Sequence, residues 1–489
     1  MTPQRSGNAG STETKTQAEP STSEGLLART ATRSADVAER WFPNALVFAL
    51  LAVLVVAVAA MGIGSSPAKV ASVFGNGFWD LIPFTMQMAM VAISGYVVAT
   101  ARPVQRAIVR LARVPRTERG AVAMVATISL TSALLNWGFS LIFSALLVRR
   151  LAERDDLRVD YRAASAAAYL GLGGSWALGL SSSAAQLQAN AESLSPSLME
   201  ITGVIPFRET IFTWQSLTLS AVIIAVCVTV AYLTAPRGDS IRTAADLGID
   251  PSDPVEEDEP RTRPGEWLEY SPLLTCVVVL LVAGWAVQEF AKQDPIVAIS
   301  ALNTYNLLFL GLGMLLHWRP RRFLAAVTKA VPATGGVLIQ FPFYAGIAAI
   351  MTHATNGGGN SLSHYLASAF TGVGSSTLFP LMTGAYSVVL GFLVPSGGGK
   401  WIIEAPYIMQ AANDMHVNLG WTVQVYNAAE ALPNLINPFW MLPLLGVLGL
   451  KARDIVGYTF LYLVALLPIV LGLLTLLSLT LPYHPPVIP

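Results

Sequence analysis

VVLGFLVPSGGGKWIIEAPYIM, residues 388–409, is the stretch on which the fold turns. It lies inside an apolar run, about 373–412, that is too long and too broken for one helix. Pro395 removes a backbone donor, and Gly397, Gly398 and Gly399 free the backbone from helical geometry. Hydrocarbon offers no water to the N–H and C=O groups released there, so such a break must be buried in protein or line a wet cavity. The stretch reads as a hairpin that enters a membrane and turns back, with a binding site at its tip; the competing reading is a plain tight loop.

The rest of the chain supports a membrane setting. Of 489 residues only 12% are charged, 30 basic and 30 acidic, against roughly 25% in soluble domains. Hydrophobic residues reach 53% and the mean hydropathy is +0.55. Apolar spans run at about 43–63, 81–101, 163–181, 217–235, 268–290, 296–317, 332–351, 420–449 and 456–482, each sized to a hydrocarbon core of about 30 Å. A second broken run, about 120–151, matches the one at 373–412. The sum is an all-α polytopic membrane protein with about nine full spans and two re-entrant hairpins. Zero net charge argues against a nucleic-acid partner. Cys227 and Cys276 sit within apolar runs and read as packed thiols.

Arginine placement orients the chain, because cytoplasmic loops carry the basic excess. Arg102, Arg106, Arg110, Arg113, Arg116 and Arg119 mark one inside loop, and Arg149, Arg150, Arg154, Arg158 and Arg162 another. Both ends of 120–151 therefore lie inside, and both ends of 373–412 fall outside, so one hairpin opens from each face. The expected organisation is a cytoplasmic tail at 1–35, a membrane repeat at 36–236, a solvated cytoplasmic linker at 237–266, a connecting span at 267–295 and a second repeat at 296–489. Three landmarks recur 259 positions apart: Asn44 and Asn303, Pro83 and Pro342, Gly138 and Gly397. With the first span running outward and its partner inward, the repeats are expected to be antiparallel, the usual construction of secondary transporters.

Candidate binding residues follow from the breaks. Consecutive glycines let backbone N–H groups converge on an anion, and a helix starting after them adds its positive end. Pro395, Ser396, Gly397, Gly398, Gly399 and Lys400 form one tip; Asn136, Trp137 and Gly138 form the other. Each hairpin precedes an interrupted span: GLGGSWALGLSSSAA (171–185), with Ser181, Ser182 and Ser183, and NAAEALPNLINPFWMLP (427–443), with Asn434 and Asn437. Asn136, Ser182, Glu430 and Asn434 are the coupling-ion candidates. Lys400 either meets a substrate carboxylate or pairs with Glu404 one turn on. Glu430 is either a proton-coupling carboxylate or a buried anchor. No P-loop, zinc motif or other enzyme signature competes, so neither a catalytic residue nor a cofactor is expected, and Na⁺ is the only metal considered. Residue types alone lead to a secondary transporter for a small anion.

From Trp41 to Tyr458 the chain resembles the bacterial short-chain fatty acid transporter family, the permeases associated with acetoacetate and butyrate uptake. The resemblance rests on WFPNALVFALL, FGNGFWDLIPFTMQMAM, NWGF, ITGVIPFRETIF, LIQFPFYAGI, VPSGGG before Trp401, NPFW and ARDIVGY. It implies two re-entrant hairpins, an elevator-type movement, and roles for Asn136, Trp137, Gly138, Pro395 to Gly399, Glu430, Asn434 and Pro438. Gly391 and Lys400 depart from the pattern, where Asn and a Gln or His are expected. The implied function is import of short monocarboxylates across a bacterial inner membrane, with H⁺ or Na⁺. Partners are then the lipid bilayer, the carboxylate and the ion, with a homodimer as an open alternative. Di- or tricarboxylate symport and a passive anion channel are the other functions considered.

Overall fold

The computed structural model describes residues 45–252, 263–373, 375–393 and 396–486. Asn44, Pro395 and the tail at 1–35 lie outside them. The described chain is helical, and among the described residues no strand is formed. The first half comprises α1 (Ala45–Gly62), α2 (Pro67–Gly77), α3 (Ile82–Thr100), α4 (Arg102–Ala112), α5 (Glu118–Ala133), α6 (Trp137–Ala152) and α7 (Tyr161–Leu170). A π-turn at Gly171–Ser175 and a 3₁₀ turn at Trp176–Leu178 then break the helix before α8 (Ser183–Gln188). Next come α9 (Pro196–Thr202), α10 (Trp214–Thr234), α11 (Glu266–Tyr270), α12 (Leu273–Lys292) and α13 (Pro295–Ser300). The second half holds α14 (Leu302–His317), α15 (Pro320–Ala330), α16 (Gly335–His353), α17 (Leu362–Val373), α18 (Phe379–Leu393), α19 (Gly397–Asp414) and α20 (Leu419–Ala431). A 3₁₀ turn at Leu432–Leu435 separates α20 from α21 (Pro438–Leu448), and α22 (Ala452–Ser478) ends the described helices.

Both broken runs resolve into helix pairs, α5–α6 and α18–α19. Side-chain oxygens start their second arms: Asn136 Oδ1 accepts from Phe139 N at 2.9 Å, and Ser396 Oγ from Gly399 N at 3.2 Å. Such caps satisfy donors that the helix itself leaves open. Only five described helices are continuous and apolar enough to cross a bilayer unaided: α3, α10, α12, α16 and α22. Nine was the expectation from hydropathy, which registers composition and not continuity. The run at 163–181 leaves the α-helix at Gly171, that at 296–317 breaks at Ala301, and α20 with its 3₁₀ turn meets α21 at a bend of 45°. The linker's first part is also more ordered than a solvated tether: Arg149 Nε donates to Pro251 O at 2.9 Å, and Arg242 N to Asp160 Oδ2 at 2.9 Å.

Seven helices of the first half, α1 to α7, are matched in order by α14 to α20, with α2 and α15 both of 11 residues and α3 and α16 both of 19. Their packing is exchanged between halves. Helices α1 and α2 lie on α16, while α14 and α15 lie on α3; α5 packs on α7 as α18 packs on α20. The offset is not a constant 259. Helix starts α2 and α15 are 253 positions apart, and the caps Asn136 and Ser396 are 260 apart, because the intervening loops differ in length. Counted from these caps Gly138 corresponds to Gly398, whereas the 259 offset of the sequence landmarks pairs it with Gly397.

Candidate functional site

The two interrupted segments cross in the protein interior. Tyr169 Oη donates to Asn434 O at 2.9 Å, Asn434 Nδ2 reaches Leu172 O at 3.5 Å, and Gly173 abuts Leu435. A side chain at Gly173 would collide with Leu435, so glycine permits this crossing. Each hairpin tip leans on the opposite half. The Trp137 and Trp440 rings meet edge to face at 5.8 Å, and Gly398 faces Ser183 of the first half, with Phe341 of its own half alongside.

The first tip is clamped. Asn136 is fully buried and, besides capping α6, its Nδ2 donates to Val91 O at 3.2 Å and to Tyr305 Oη at 2.9 Å. Trp137 N donates to Ser181 Oγ at 3.0 Å, and Leu180 N to Leu134 O at 2.7 Å. Ser182 Oγ donates to Asn427 Oδ1 at 3.1 Å, whose Nδ2 donates to Gln424 Oε1 at 2.8 Å; Gln424 Nε2 then donates to Ser216 Oγ at 2.5 Å. Asn136, Trp137, Ser181 and Ser182 thus spend much of their hydrogen-bonding capacity on holding hairpin, broken segment and α20 together.

The second tip is different. Ser396 caps Gly399, but Gly397 and Gly398 occupy the first two helical positions, whose N–H groups have no acceptor within a helix. A methyl group placed on Gly397 would lie 2.8 Å from Trp176 Cη2 and 2.9 Å from Glu430 Oε2. The indole edge and the carboxylate therefore border one point on the backbone. Glu430 is 2% exposed and, among the described residues, makes no direct hydrogen bond or ion pair. Among the described residues, buried Trp176 Nε1 and Asn434 Oδ1 have no hydrogen-bond partner. Unused polar groups of this kind are costly in a dry interior and point to a ligand or water. Asn437 is buried at the end of the same turn. Sequence reading missed Trp176: it sits among small residues, and only the crossing of the segments brings it beside Gly397.

Lys400 is buried and engaged within the protein. Its Nζ donates to Ser387 O at 2.6 Å, lies 3.6 Å from Glu404 Oε1 and stands 4.9 Å from the Tyr426 ring centre. Ser387 Oγ also donates to Glu404 Oε2 at 2.8 Å. Of the two uses open to Lys400, this geometry is the pairing with Glu404. At Gly391 a side chain would clash with Pro433, which accounts for glycine at this position near the Lys400 ammonium.

Comparison with known proteins places this architecture. Residues 26–477 match the family described as short chain fatty acid transporter. A protein of Escherichia coli K12, assigned provisionally as a short-chain fatty acid transporter, is 32% identical over 426 residues, 86% of this chain and 92% of the relative. Its Haemophilus influenzae counterpart is 30% identical over 442 residues, 89% and 96% of the two chains. Among solved structures, the Alcanivorax borkumensis YdaH transporter superposes with a TM-score of 0.58 at 15% identity, covering 91% of this chain and all of that one. Neisseria gonorrhoeae MtrF, from a class described as antimetabolite efflux pumps, gives 0.56 at 13% identity, covering 91% and 97%. At those identities the likeness concerns the fold.

Proposed function

The chain belongs to the short-chain fatty acid transporter family, and we propose that it imports a small monocarboxylate across the cytoplasmic membrane together with one proton. The substrate carboxylate would sit at the start of α19, on the N–H groups of Gly397 and Gly398, with Trp176 against it. The observation that carries this reading is Glu430 bordering the same backbone point. Two carboxylates side by side in a dry site cannot both hold their charge, so one proton is shared between them. Anion entry would then require a protonated Glu430, and release on the other side would return both. Such a pairing ties the two fluxes together. Lys400 supports the site indirectly, by neutralising Glu404 on the neighbouring turn.

The exchanged packing of the two halves supports an antiparallel repeat, and with it alternating access by movement of the hairpins and broken segments as a body. Na⁺ coupling is the second reading. It would draw on oxygens of Asn136, Ser182 and Asn434, of which, among the described residues, Asn434 Oδ1 has no hydrogen-bond partner.

Counterflow in proteoliposomes tests the substrate class. Vesicles preloaded with unlabelled butyrate should accumulate labelled butyrate, acetoacetate or propionate. Succinate and citrate should fail to exchange, since one anion site next to a shared proton cannot balance further negative charge. Faster exchange of succinate than of butyrate would refute the assignment.

A further inference from the structure

Two helix elbows meet on each side of the molecule, and the two meetings are built differently. On one side the α1–α2 elbow is bridged directly to the end of α16: Ser65 Oγ donates to Ala354 O at 2.7 Å, and Lys69 Nζ to Thr355 Oγ1 at 2.5 Å. The corresponding junction in the other half joins the α14–α15 elbow to the end of α3, where His317 Nε2 meets Val97 O at 2.7 Å. Beside that contact lies a cavity of about 350 Å³, lined by Arg102, Arg106, Arg322, His317, Trp318 and Leu315, among others. Arg102 and Arg322 also engage other groups, and Arg106 is exposed.

The wall has two characters. Three guanidinium groups supply planar forks suited to phosphate oxygens. Trp318, 49% exposed and held at φ 67°, stands out at its edge, and Leu315 is 43% exposed. An indole and an aliphatic side chain beside a basic pocket at the end of apolar helices match the boundary between lipid headgroups and chains. This is also the arginine-rich face that the charge distribution reads as cytoplasmic.

We infer that the cavity between the α3–α4 and α14–α15 elbows is a binding site for a phosphate-bearing anion, its best fit being the headgroup of an anionic phospholipid. Binding there would tie α3 to α14 and α15, a junction separate from the proposed carboxylate site. Its success or failure is therefore independent of the transport reading.

The test uses the full chain purified in a non-ionic detergent. Native mass spectrometry would record retention of added phosphatidylglycerol and phosphatidylcholine, and thermal unfolding would be followed with each lipid and with inorganic phosphate. Phosphatidylglycerol should be retained and should raise the unfolding temperature more than phosphatidylcholine. Retention should fall about fivefold for each arginine removed in Arg102→Gln, Arg106→Gln and Arg322→Gln. Lys69→Gln, at the bridged junction, should leave it unchanged. Stabilisation by inorganic phosphate alone, lost in the arginine variants, would uphold phosphate recognition and identify the free anion as its source. Should the triple variant fail to fold, the exposed Arg106→Gln alone carries the comparison. Equal retention of phosphatidylglycerol by wild type and folded arginine variants, or equal effects of the two lipids, would overturn the site.

Discussion

Lys400 and Glu404 are both buried, one helical turn apart on α19, and both also hydrogen-bond to Ser387. Removing one member of such a pair leaves the other charge uncompensated, at a cost of about 3–5 kcal/mol. Lys400→Gln should therefore lower thermal stability, and adding Glu404→Gln should recover part of the loss, while the apparent affinity of the folded fraction for butyrate stays close to wild type. A tenfold weaker affinity with unchanged stability would instead place Lys400 on the substrate. Glu430→Gln makes the opposite prediction. The amide keeps the shape, so the protein should fold and exchange substrate, but uptake should no longer follow an imposed pH gradient, falling at least tenfold. Retention of gradient-driven uptake by Glu430→Gln would remove Glu430 from the coupling step. The sequence left both residues with two uses each; spacing shows that Lys400 can reach Glu404, but not that Ser387 closes the group from α18.

At the scale of elements, the hairpins and breaks were legible because clusters of proline, glycine and serine interrupt a helix, and an interrupted helix inside an apolar run must find shelter from lipid. What the tips touch was not legible, since Trp176 and Gly397 come from opposite halves and meet only through tertiary packing. Their contact sets a steric prediction. Gly397→Ala should abolish transport with normal insertion, as the added methyl enters the space between Trp176 and Glu430, whereas Gly446→Ala, whose new methyl meets no described atom within 4 Å beyond its own stretch of helix, should be neutral. Asn136→Ala removes a helix cap and the bonds to Val91 and Tyr305. Each such bond contributes about 1 kcal/mol, so a loss of roughly 2–3 kcal/mol is expected in denaturation of the purified protein. An Asn136→Ala protein of wild-type stability would show that the first tip is held some other way.

For the whole molecule, the proposed repeat is signalled in the sequence by landmarks at one offset, whereas the helix starts of the two halves keep no constant offset because their loops differ in length. Sidedness rests on arginine placement and can be checked with exposed positions. In a background lacking Cys227 and Cys276, an impermeant thiol reagent added to intact cells should label His364→Cys and spare Arg110→Cys. The most direct test is of proton coupling itself, measured as labelled butyrate accumulation in proteoliposomes under an inward proton gradient, an inward Na⁺ gradient, or neither. Undissociated acid crosses lipid unaided, so protein-free vesicles and the Glu430→Gln protein supply the baselines. Protein-dependent accumulation above equilibrium with the proton gradient alone is the predicted result; accumulation that requires Na⁺ and ignores the pH gradient would contradict it.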